Sequence, residues 1–419
     1  MQPKIYTLEE HRIVPEKIDT HAFYVIEKLR AAGYSAYLVG GGVRDLLLNR
    51  RPKDFDISTS AKPEEIRSLF RNAILIGRRF RLAHIRFGKK IIEVATFRSG
   101  DPESADLIVR DNVWGSEEED VLRRDFTING LFYNPENQTV IDYVDGFQDV
   151  EKRMLRTIGQ PDVRFAQDPV RMIRLLKFCA RFDFKIHPLT HVALIQCRSH
   201  IIKSSSARIL EELLRMLESG AAEPFFRLLH EYGLLKLLIA PLSHFIDLDQ
   251  ERRIFKILAV VDDEMRKVFP NTPDRSLPMA ALCFPILDLT IRHLMSHSDR
   301  IPHLGQIAQE ADELITNLFS PFFRLPRRLQ SMMVFILTSQ YRFTPLDQRP
   351  IRHPRLPRDE ALPFALQLLS LRTILQPELL PLYTQWTEAA FKAPPVHTEP
   401  STGEEAPKPR RRRRRKFRE

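Results

Sequence analysis

The 419-residue sequence contains few cysteines, and none stand at the spacing that builds a structural site. Its three cysteines, Cys179, Cys197 and Cys283, are scattered along the chain and form no C-x-x-C pair. This excludes a disulfide framework and a thiolate metal site. Free, scattered cysteines are typical of a protein in a reducing compartment, so we expect a cytoplasmic location.

Long apolar runs are also lacking, and we expect no segment that crosses a membrane. The first residues, MQPKIYTLEEHR, do not show the charged, apolar and then small-residue pattern of a secretory signal. Hydrophobic residues still make up 43% of the chain, which predicts sizeable cores and not a mostly disordered chain. A chain of this length predicts about two to four domains.

Acidic residues are scarce in two C-terminal stretches, and this locates most of the net charge of +10. Residues 408–419 contain nine Lys/Arg and one Glu, and residues 321–358 contain eight arginines against one aspartate. Charge gathered in this way indicates a polyanionic partner such as nucleic acid. The alternative for the terminal run, a solubility tail, is the less favoured interpretation.

The pattern of elements changes along the chain. Residues 18–32 have helical periodicity, and short strands and helices alternate from there to about residue 150. We expect Thr59 or Ser60 to cap the helix that follows the second strand. From about residue 165 nearly every segment has the pattern of an amphipathic helix, and residues 392–409 have a composition typical of disorder.

A glycine turn and a D-x-D pair form the strongest chemical pattern. Gly40, Gly41 and Gly42 stand between a predicted strand and helix, where a backbone can approach phosphate groups. Asp54 and Asp56 follow in the next strand, on the same face, because successive strand side chains alternate. Either that face is solvated, or a cation such as Mg²⁺ lies between the carboxylates; we favour the cation because Phe55 and Ile57 make the other face apolar.

A third acidic group is expected near such a pair, and two residues qualify. Glu93 lies within the apolar strand KIIEVATF, where a charge is unexpected. Asp125 lies in LRRDFTIN beside Arg123 and Arg124. Asp125 and Asn129 would share one face if this stretch were helical. The alternative for RRDFTIN is a surface ion pair followed by a buried strand.

Four segments together resemble the motifs of the class II nucleotidyltransferases, a family of bacterial tRNA CCA-adding enzymes and bacterial poly(A) polymerases. The resemblance covers about residues 20–240 and rests on LVGGGVRDLLLNRRPKDFDIST, LRRDFTINGLFYN, IDYVDGFQDV and DPVRMIRLLKFCARF. It implies an α+β protein with an N-terminal mixed α/β head followed by all-α neck, body and tail domains. We assign an extension to 1–17, the head to 18–155, the neck to 156–240, the body and tail to 241–391, and a disordered linker and Arg-rich tail to 392–419.

The resemblance also implies roles for individual residues. Asp54 and Asp56 would bind Mg²⁺, and Asp125, preferred to Glu93, would be the third acidic position. Gly41, Gly42 and Arg44 would hold the triphosphate, and Arg124 and Asn129 the sugar and phosphates. Asp168 and Arg171 would read the base edge from one helix face. The chain departs from the family at Gln167, where Glu is usual, and this puts base selection in doubt.

The sequence allows three functions. The segment LIGRRFRLAHIRFG, with Arg78, Arg79 and Arg81, and residues 351–372 resemble the poly(A) polymerase branch. We therefore predict transfer of AMP from ATP to single-stranded RNA 3′ ends with release of pyrophosphate, and RNA affinity from the tail arginines, Arg410, Arg411, Arg412, Arg413, Arg414 and Arg415. A tRNA CCA-adding enzyme is the first alternative. The second is a catalytically silent RNA-binding protein, against which the three intact aspartates count.

Overall fold

The computed structural model describes residues 2–77, 82–100, 113–268, 273–297, 300–347, 351 and 354–392. The predicted arginine cluster of Arg78, Arg79 and Arg81 and the tail arginines 410–415 lie outside the described residues, so their predicted roles stay predictions.

Eight strands form one sheet in the N-terminal part of the chain. They are Lys4–Tyr6 (β1), Ala36–Val39 (β2), Asp56–Thr59 (β3), Ala73–Ile76 (β4), Leu82–Phe87 (β5), Lys90–Thr96 (β6), Leu131–Asn134 (β7) and Thr139–Asp142 (β8). The strand order is β1-β8-β7-β2-β3-β6-β5-β4. The β3–β6 pair is parallel and the other pairs are antiparallel, so the sheet is mixed.

Six helices accompany this sheet: Leu8–His11 (α1), Thr20–Ala31 (α2), Gly41–Leu47 (α3), Pro63–Leu69 (α4), Glu117–Leu122 (α5) and Gly146–Glu151 (α6), with 3₁₀ turns at Pro15–Lys17 and Thr127–Asn129. The prediction that Thr59 or Ser60 caps α4 is wrong, because Thr59 ends β3. The helix begins after Lys62, whose backbone N–H donates to the Glu65 carboxylate at 2.6 Å.

The two faces of the sheet are covered to different extents. Helices α2 and α4 pack on one face, over β2, β3, β4 and β5. On the other face an apolar cluster covers the half formed by β2, β7 and β8; its buried members are Val39, Phe97, Val121, Phe132, Ile141 and Ile158. Over β4 and β6, the same face has exposed apolar side chains, with 42% of Ile74, 40% of Ile76 and 44% of Ile91 accessible.

One row of directly opposed residues crosses the whole sheet. In strand order it consists of Ile5, Ile141, Phe132, Val39, Asp56, Glu93, His84 and Ile74. Opposed residues share a face, so the row shows what that face offers from one edge to the other. Its character changes from apolar to acidic at Asp56, where the apolar cluster ends.

The rest of the described chain is almost entirely helical. Its helices are Pro161–Gln167 (α7), Val170–Phe182 (α8), Pro188–Cys197 (α9), Ser206–Leu217 (α10), Ala222–Glu231 (α11), Leu234–Leu238 (α12), Ala240–Leu248 (α13), Arg253–Val268 (α14), Ser276–Ser296 (α15), Leu304–Phe319 (α16), Arg327–Phe343 (α17), Leu362–Leu375 (α18) and Leu380–Lys392 (α19), with 3₁₀ segments at Arg198–Lys203 and Pro377–Leu379. A small parallel pair, Met154–Leu155 (β9) with Lys185–Ile186 (β10), joins the start of this half to the end of α8. The predicted fold class, a mixed head followed by helices, is confirmed.

Helix α15 corrects the expectation about apolar runs. Its 21 residues are long and apolar enough to cross a membrane by length and composition alone. However, 67% of the apolar window is buried inside the protein, where α15 packs against α14, α17 and α18. In this structure α15 is a core helix of the helical half.

Candidate active site

The glycine turn joins β2 to α3 and lies between Arg124 and the segment that contains Asp54. Gly40 has φ 64° and ψ −127°, a backbone conformation that side chains with a Cβ rarely adopt. A Cβ on Gly40 would lie 3.1 Å from the Nη1 atom of Arg124, and one on Gly42 would lie 3.5 Å from the Asp54 carbonyl oxygen. The turn therefore brings Arg124 and the Asp54 segment close together around a glycine backbone in which Gly41 is partly exposed and Gly40 and Gly42 are buried.

The predicted aspartate pair lies beside this turn. Asp56 begins β3, Asp54 comes two residues earlier, and both are solvent-exposed. Asp56 is directly opposite Glu93 on β6. Partial desolvation in the cleft, then the charges of Glu93 and Asp54, raise the pKa of Asp56 to about 6, although Arg124 acts in the opposite direction. Three carboxylates thus share one small region of negative potential.

This carboxylate group fits an open cation site. Among the described residues, no group of three or more His, Cys, Asp and Glu side chains is placed to hold a metal ion by itself. Desolvation, and then repulsion from Glu93 and Asp54, raise the pKa of Asp56, and a bound cation would offset both effects. Mg²⁺ is commonly bound by one or two carboxylates and completes its coordination with substrate phosphates and water. The donor set present here suits that mode of binding.

Glu93 lies next to the pair, directly opposite Asp56, whereas Asp125 has other partners. Asp125 is buried and accepts hydrogen bonds from the Phe126 backbone N–H at 2.8 Å and the Asn129 amide at 3.0 Å. Its second oxygen lies 2.8 Å from Nη2 of Arg174 on α8. Asp125 is thus engaged by the Phe126 backbone, by Asn129 and by Arg174, whose side chain is 38% exposed, and its predicted role as the third acidic group stays a prediction.

Arg44 and Asn129 support the turn from inside the protein. Both are buried, and Arg44 donates to the Asn129 side-chain oxygen at 2.7 Å. Arg44 also donates to Asp45 at 2.7 Å and lies over the ring of Phe182. With the Asn129–Asp125 bond, this makes a continuous network from α3 to α8. The predicted contacts of Arg44 and Asn129 with nucleotide stay predictions.

Arg124 is held at the border of the carboxylate region. Its Nη2 atom donates to Asp120 at 2.8 Å and to the Ser58 hydroxyl at 3.1 Å, and its Nη1 atom donates to the Asn129 carbonyl at 3.3 Å. Sequence reasoning missed Asp120 and Ser58 as orienting residues. The spacing of Asp120 four residues before Arg124, in a short helical stretch, is the signal that could have revealed the pair.

Asp168 and Arg171 do not share a helix. Asp168 follows the end of α7, and α8 begins at Val170, so the prediction that one helix face presents both residues is wrong. Asp168 instead accepts two hydrogen bonds from Arg208 on α10, at 3.0 and 2.8 Å. Arg171 donates to the Arg164 carbonyl at 2.9 Å. The two residues remain neighbours at the junction between α7 and α8.

Arg164 is the central residue of that junction and was also missed. It is buried and donates to the carbonyls of Arg123 and Arg124, at 2.7 and 2.6 Å, and to the Gln167 side chain at 2.7 Å. Burial, and then the nearby charge of Arg171, lower the pKa of Arg164 to about 9. Arg164 thus fastens α7 to the backbone that carries Arg124.

Comparisons with known proteins agree with these features. A family model described as "Poly A polymerase head domain" matches residues 36–156. A second, described as "Probable RNA and SrmB- binding site of polymerase A", matches residues 183–244. A protein named Poly(A) polymerase I, from Salmonella typhi, is 35% identical over 97% of this chain and 90% of its own length.

Proteins named as CCA-adding enzymes are similar as well, over a different extent. One from Lactobacillus johnsonii is 35% identical over 53% of this chain and 55% of its own length. The crystal structure of the Bacillus stearothermophilus CCA-adding enzyme in complex with CTP is 25% identical, with a TM-score of 0.62, and covers 88% of this chain and 81% of that chain. In sequence, the likeness to the CCA-adding enzyme covers about half of the chain, and the likeness to the polymerase covers nearly all of it.

Proposed function

The chain belongs to the bacterial poly(A) polymerase family, within the tRNA nucleotidyltransferases, and from that premise we propose how its site adds AMP to RNA. The protein is a polynucleotide adenylyltransferase that extends RNA with ATP as the donor. One observation supports the mechanism most directly: Asp54, Asp56 and Glu93 meet beside the glycine turn, where the partly exposed Gly41 and the Arg124 side chain can receive phosphate groups.

The acidic side chains hold the cation in this proposal. Asp54 and Asp56 bind Mg²⁺, and Glu93 completes or orients that set. Such a metal lowers the pKa of an attacking hydroxyl and stabilises the charge on the departing oxygen. Arg124, fixed by Asp120 and Ser58, faces the same region and compensates phosphate charge. The result is in-line attack by the terminal 3′-hydroxyl on the α-phosphorus of ATP, with pyrophosphate leaving.

The junction between α7 and α8 supplies the base contacts. In this structure Asp168 accepts from Arg208, and the buried Arg171 donates to the Arg164 and Arg123 carbonyls. In this proposal the same carboxylate and guanidinium match an adenine edge without a template. Arg164 holds this junction against the backbone of Arg123 and Arg124. Base selection and phosphate binding are therefore joined through one buried side chain.

Substrate form and location belong to the same proposal. Acceptors are single-stranded RNA 3′ ends, because sequence-independent contacts to phosphate suit varied ends. The three cysteines are free in the structure, two of them buried. We therefore place the protein in the reducing cytoplasm.

Nucleotide incorporation tests this function. Purified protein, Mg²⁺ and an unstructured RNA oligonucleotide are incubated with each NTP separately, and the products are resolved on a gel. We expect a long ladder with ATP alone. If the oligonucleotide stays inert, and only a tRNA lacking its 3′ end grows with CTP and ATP, the protein is a CCA-adding enzyme. RNA binding without any incorporation would identify a silent RNA-binding protein.

Two substitutions test the metal-binding pair. Asp54→Asn and Asp56→Asn should each lower the incorporation rate by at least about 100-fold, because each removes an ionised ligand. Both side chains are exposed, so the thermal unfolding temperature should change little. Chelation of the metal should stop the unsubstituted enzyme, and added Mg²⁺ should restore it. Normal turnover by either variant would contradict the mechanism.

A further inference from the structure

We propose that one sheet face, the one that carries Asp56 and Glu93, binds the RNA primer. Its uncovered half, over β6, β5 and β4, holds the last two or three nucleotides. We call this surface the open face; it consists of Ile74, Ile76, His84, Arg86 and Ile91. The inference rests on the proposed function, because it assigns the route by which the RNA 3′ end reaches the carboxylates.

The open face is continuous with the carboxylate site. Glu93 lies directly opposite Asp56, His84 lies opposite Glu93, and Ile74 lies opposite His84. Three strand spacings separate Asp56 from Ile74, which amounts to about 14 Å. Other RNA-binding sheets use one face of four strands to hold two or three bases. The open face, with β3, has four strands and ends at the reacting centre.

Apolar side chains give this face a surface for bases. Ile74, Ile76 and Ile91 are each at least 40% exposed. They lie on the same face as Glu93, because Ile91 and Glu93 are two residues apart and Ile74 is in register with His84. Three exposed isoleucines on one face of a sheet, next to charged groups, mark a contact surface. Unpaired nucleobases expose flat apolar faces that such a surface can bury.

The charge of this hairpin region complements RNA. Residues 71–92 contain seven Lys/Arg and no Asp or Glu. Of these cations, Arg71, Arg86 and Lys89 are exposed in the structure. Arg86 lies directly opposite Ile91, so a phosphate contact and an apolar contact are adjacent on the open face. A base can lie on the isoleucines while its phosphate faces the cations.

The other routes along the sheet by which RNA could reach Asp56 are covered by protein or assigned to ATP. On the far side of Asp56 the row continues into Val39 and Phe132, which the apolar cluster buries. The glycine turn and Arg124 border the site and are assigned to ATP. Among the described residues of this face, β6, β5 and β4 remain accessible. An RNA end that follows them arrives with its terminal hydroxyl at Asp56.

A double variant tests the open face. Ile74→Thr with Ile76→Thr keeps β-branched side chains in β4 and removes apolar surface. We expect the KM for RNA to rise about 5-fold, because less apolar surface is buried against the bases, with kcat and the KM for ATP unchanged. The matched control is Ile5→Thr, because Ile5 is 51% exposed at the opposite edge of the same row. The control should leave all three constants unchanged.

Photocrosslinking on the unsubstituted protein provides a second, independent test. A primer with a 3′-deoxy end and 4-thiouridine at its second or third nucleotide from that end is irradiated with protein, ATP and Mg²⁺. We expect crosslinked peptides that contain β4, β5 or β6. Crosslinks confined to the helical half, together with an unchanged RNA KM in the double variant, would overturn the proposal. That result would leave poly(A) synthesis intact, whereas failure of the wild-type protein to add AMP would refute the proposed function itself.

Discussion

At the scale of the residue, Glu93 and Asp125 have different surroundings, and this difference can be tested. Glu93 faces Asp56 and touches His84 at 3.3 Å, near solvent. Asp125 is buried and ion-paired, so the buried charge is compensated by Arg174 and by hydrogen bonds. One carboxylate is therefore near solvent and the other is buried with its charge compensated.

The contrast predicts opposite effects for two substitutions. Glu93→Gln should reduce the incorporation rate by about 100-fold and change the free energy of unfolding by less than about 0.5 kcal/mol, since the Glu93 side chain is 42% exposed and its pair with His84 is screened by water. Asp125→Asn should cost about 2 kcal/mol of stability because it leaves the Arg174 guanidinium without its anion. Activity assays and urea unfolding of both proteins measure this. A stable but inactive Asp125→Asn variant would restore Asp125 as the third catalytic acid.

Individual residues show how far sequence reasoning reaches. Asp54 and Asp56 could be singled out because their D-x-D spacing and the apolar Phe55 and Ile57 that alternate with them form a pattern that is local in sequence. Glu93 could be noticed as a charge in an apolar strand, but its position relative to Asp56 could not be predicted. Its position opposite Asp56 depends on the register between β3 and β6, two strands far apart in sequence whose pairing no local pattern encodes.

At the scale of the element, the junction of α7 and α8 departs from expectation because a proline interrupts it. Pro169 follows Asp168 and restricts the backbone of that residue to extended conformations. Asp168 and Arg171 are three residues apart, which suggests a single helix, but two helices meet at this point. The strands and most helices were predictable, since their apolar periodicities are local and strong. Contacts between segments far apart in sequence, such as those of Arg164 with the Arg123 and Arg124 carbonyls, were not predictable.

Gln167 at this junction can be tested. Its side-chain oxygen accepts from Arg164 at 2.7 Å and lies 3.5 Å from Arg171. Gln167→Glu places an anion between two buried guanidinium groups, so it should raise the free energy of unfolding by about 1 kcal/mol. Gln167→Leu, the control, should lower it. If Gln and Glu at position 167 allow the same selection of adenine, the ratio of ATP to CTP incorporation should be the same in the wild-type protein and in the Gln167→Glu variant.

Thermal unfolding and single-nucleotide incorporation give both readouts. A Glu variant that is less stable than the wild type would show that the junction cannot accept a buried carboxylate. A Glu variant that incorporates CTP would show that Gln167 restricts the base.

At the scale of the whole molecule, positive charge is concentrated at the end of the chain. Removal of residues 408–419, which contain nine Lys/Arg, should raise the apparent Kd for RNA and reduce its salt dependence. For every phosphate of a single strand that the shortened protein no longer neutralises, the log–log slope should flatten by about 0.7. The KM for ATP should not change. Binding measured between low and high salt provides the slope.

A charge-neutral tail is the matched control for that truncation. Replacing Arg410–Arg415 with glutamine keeps the length of the tail and removes six charges. It should reproduce most of the truncation effect. An unchanged slope in both proteins would remove the tail from RNA binding and leave the basic residues of the folded part as the source of affinity.

The row of eight opposed residues also limits how the gene can change in length. Insertion of one codon within β6 before Glu93 would bring Ile92 opposite Asp56 and turn Glu93 toward the face packed by helices. Length changes that preserve activity should therefore fall in turns, such as the one at Gly88 between β5 and β6, where a side chain would meet no atom within 4 Å. Among descendants of this chain, the strands of the catalytic face should diverge by substitution and the turns by insertion.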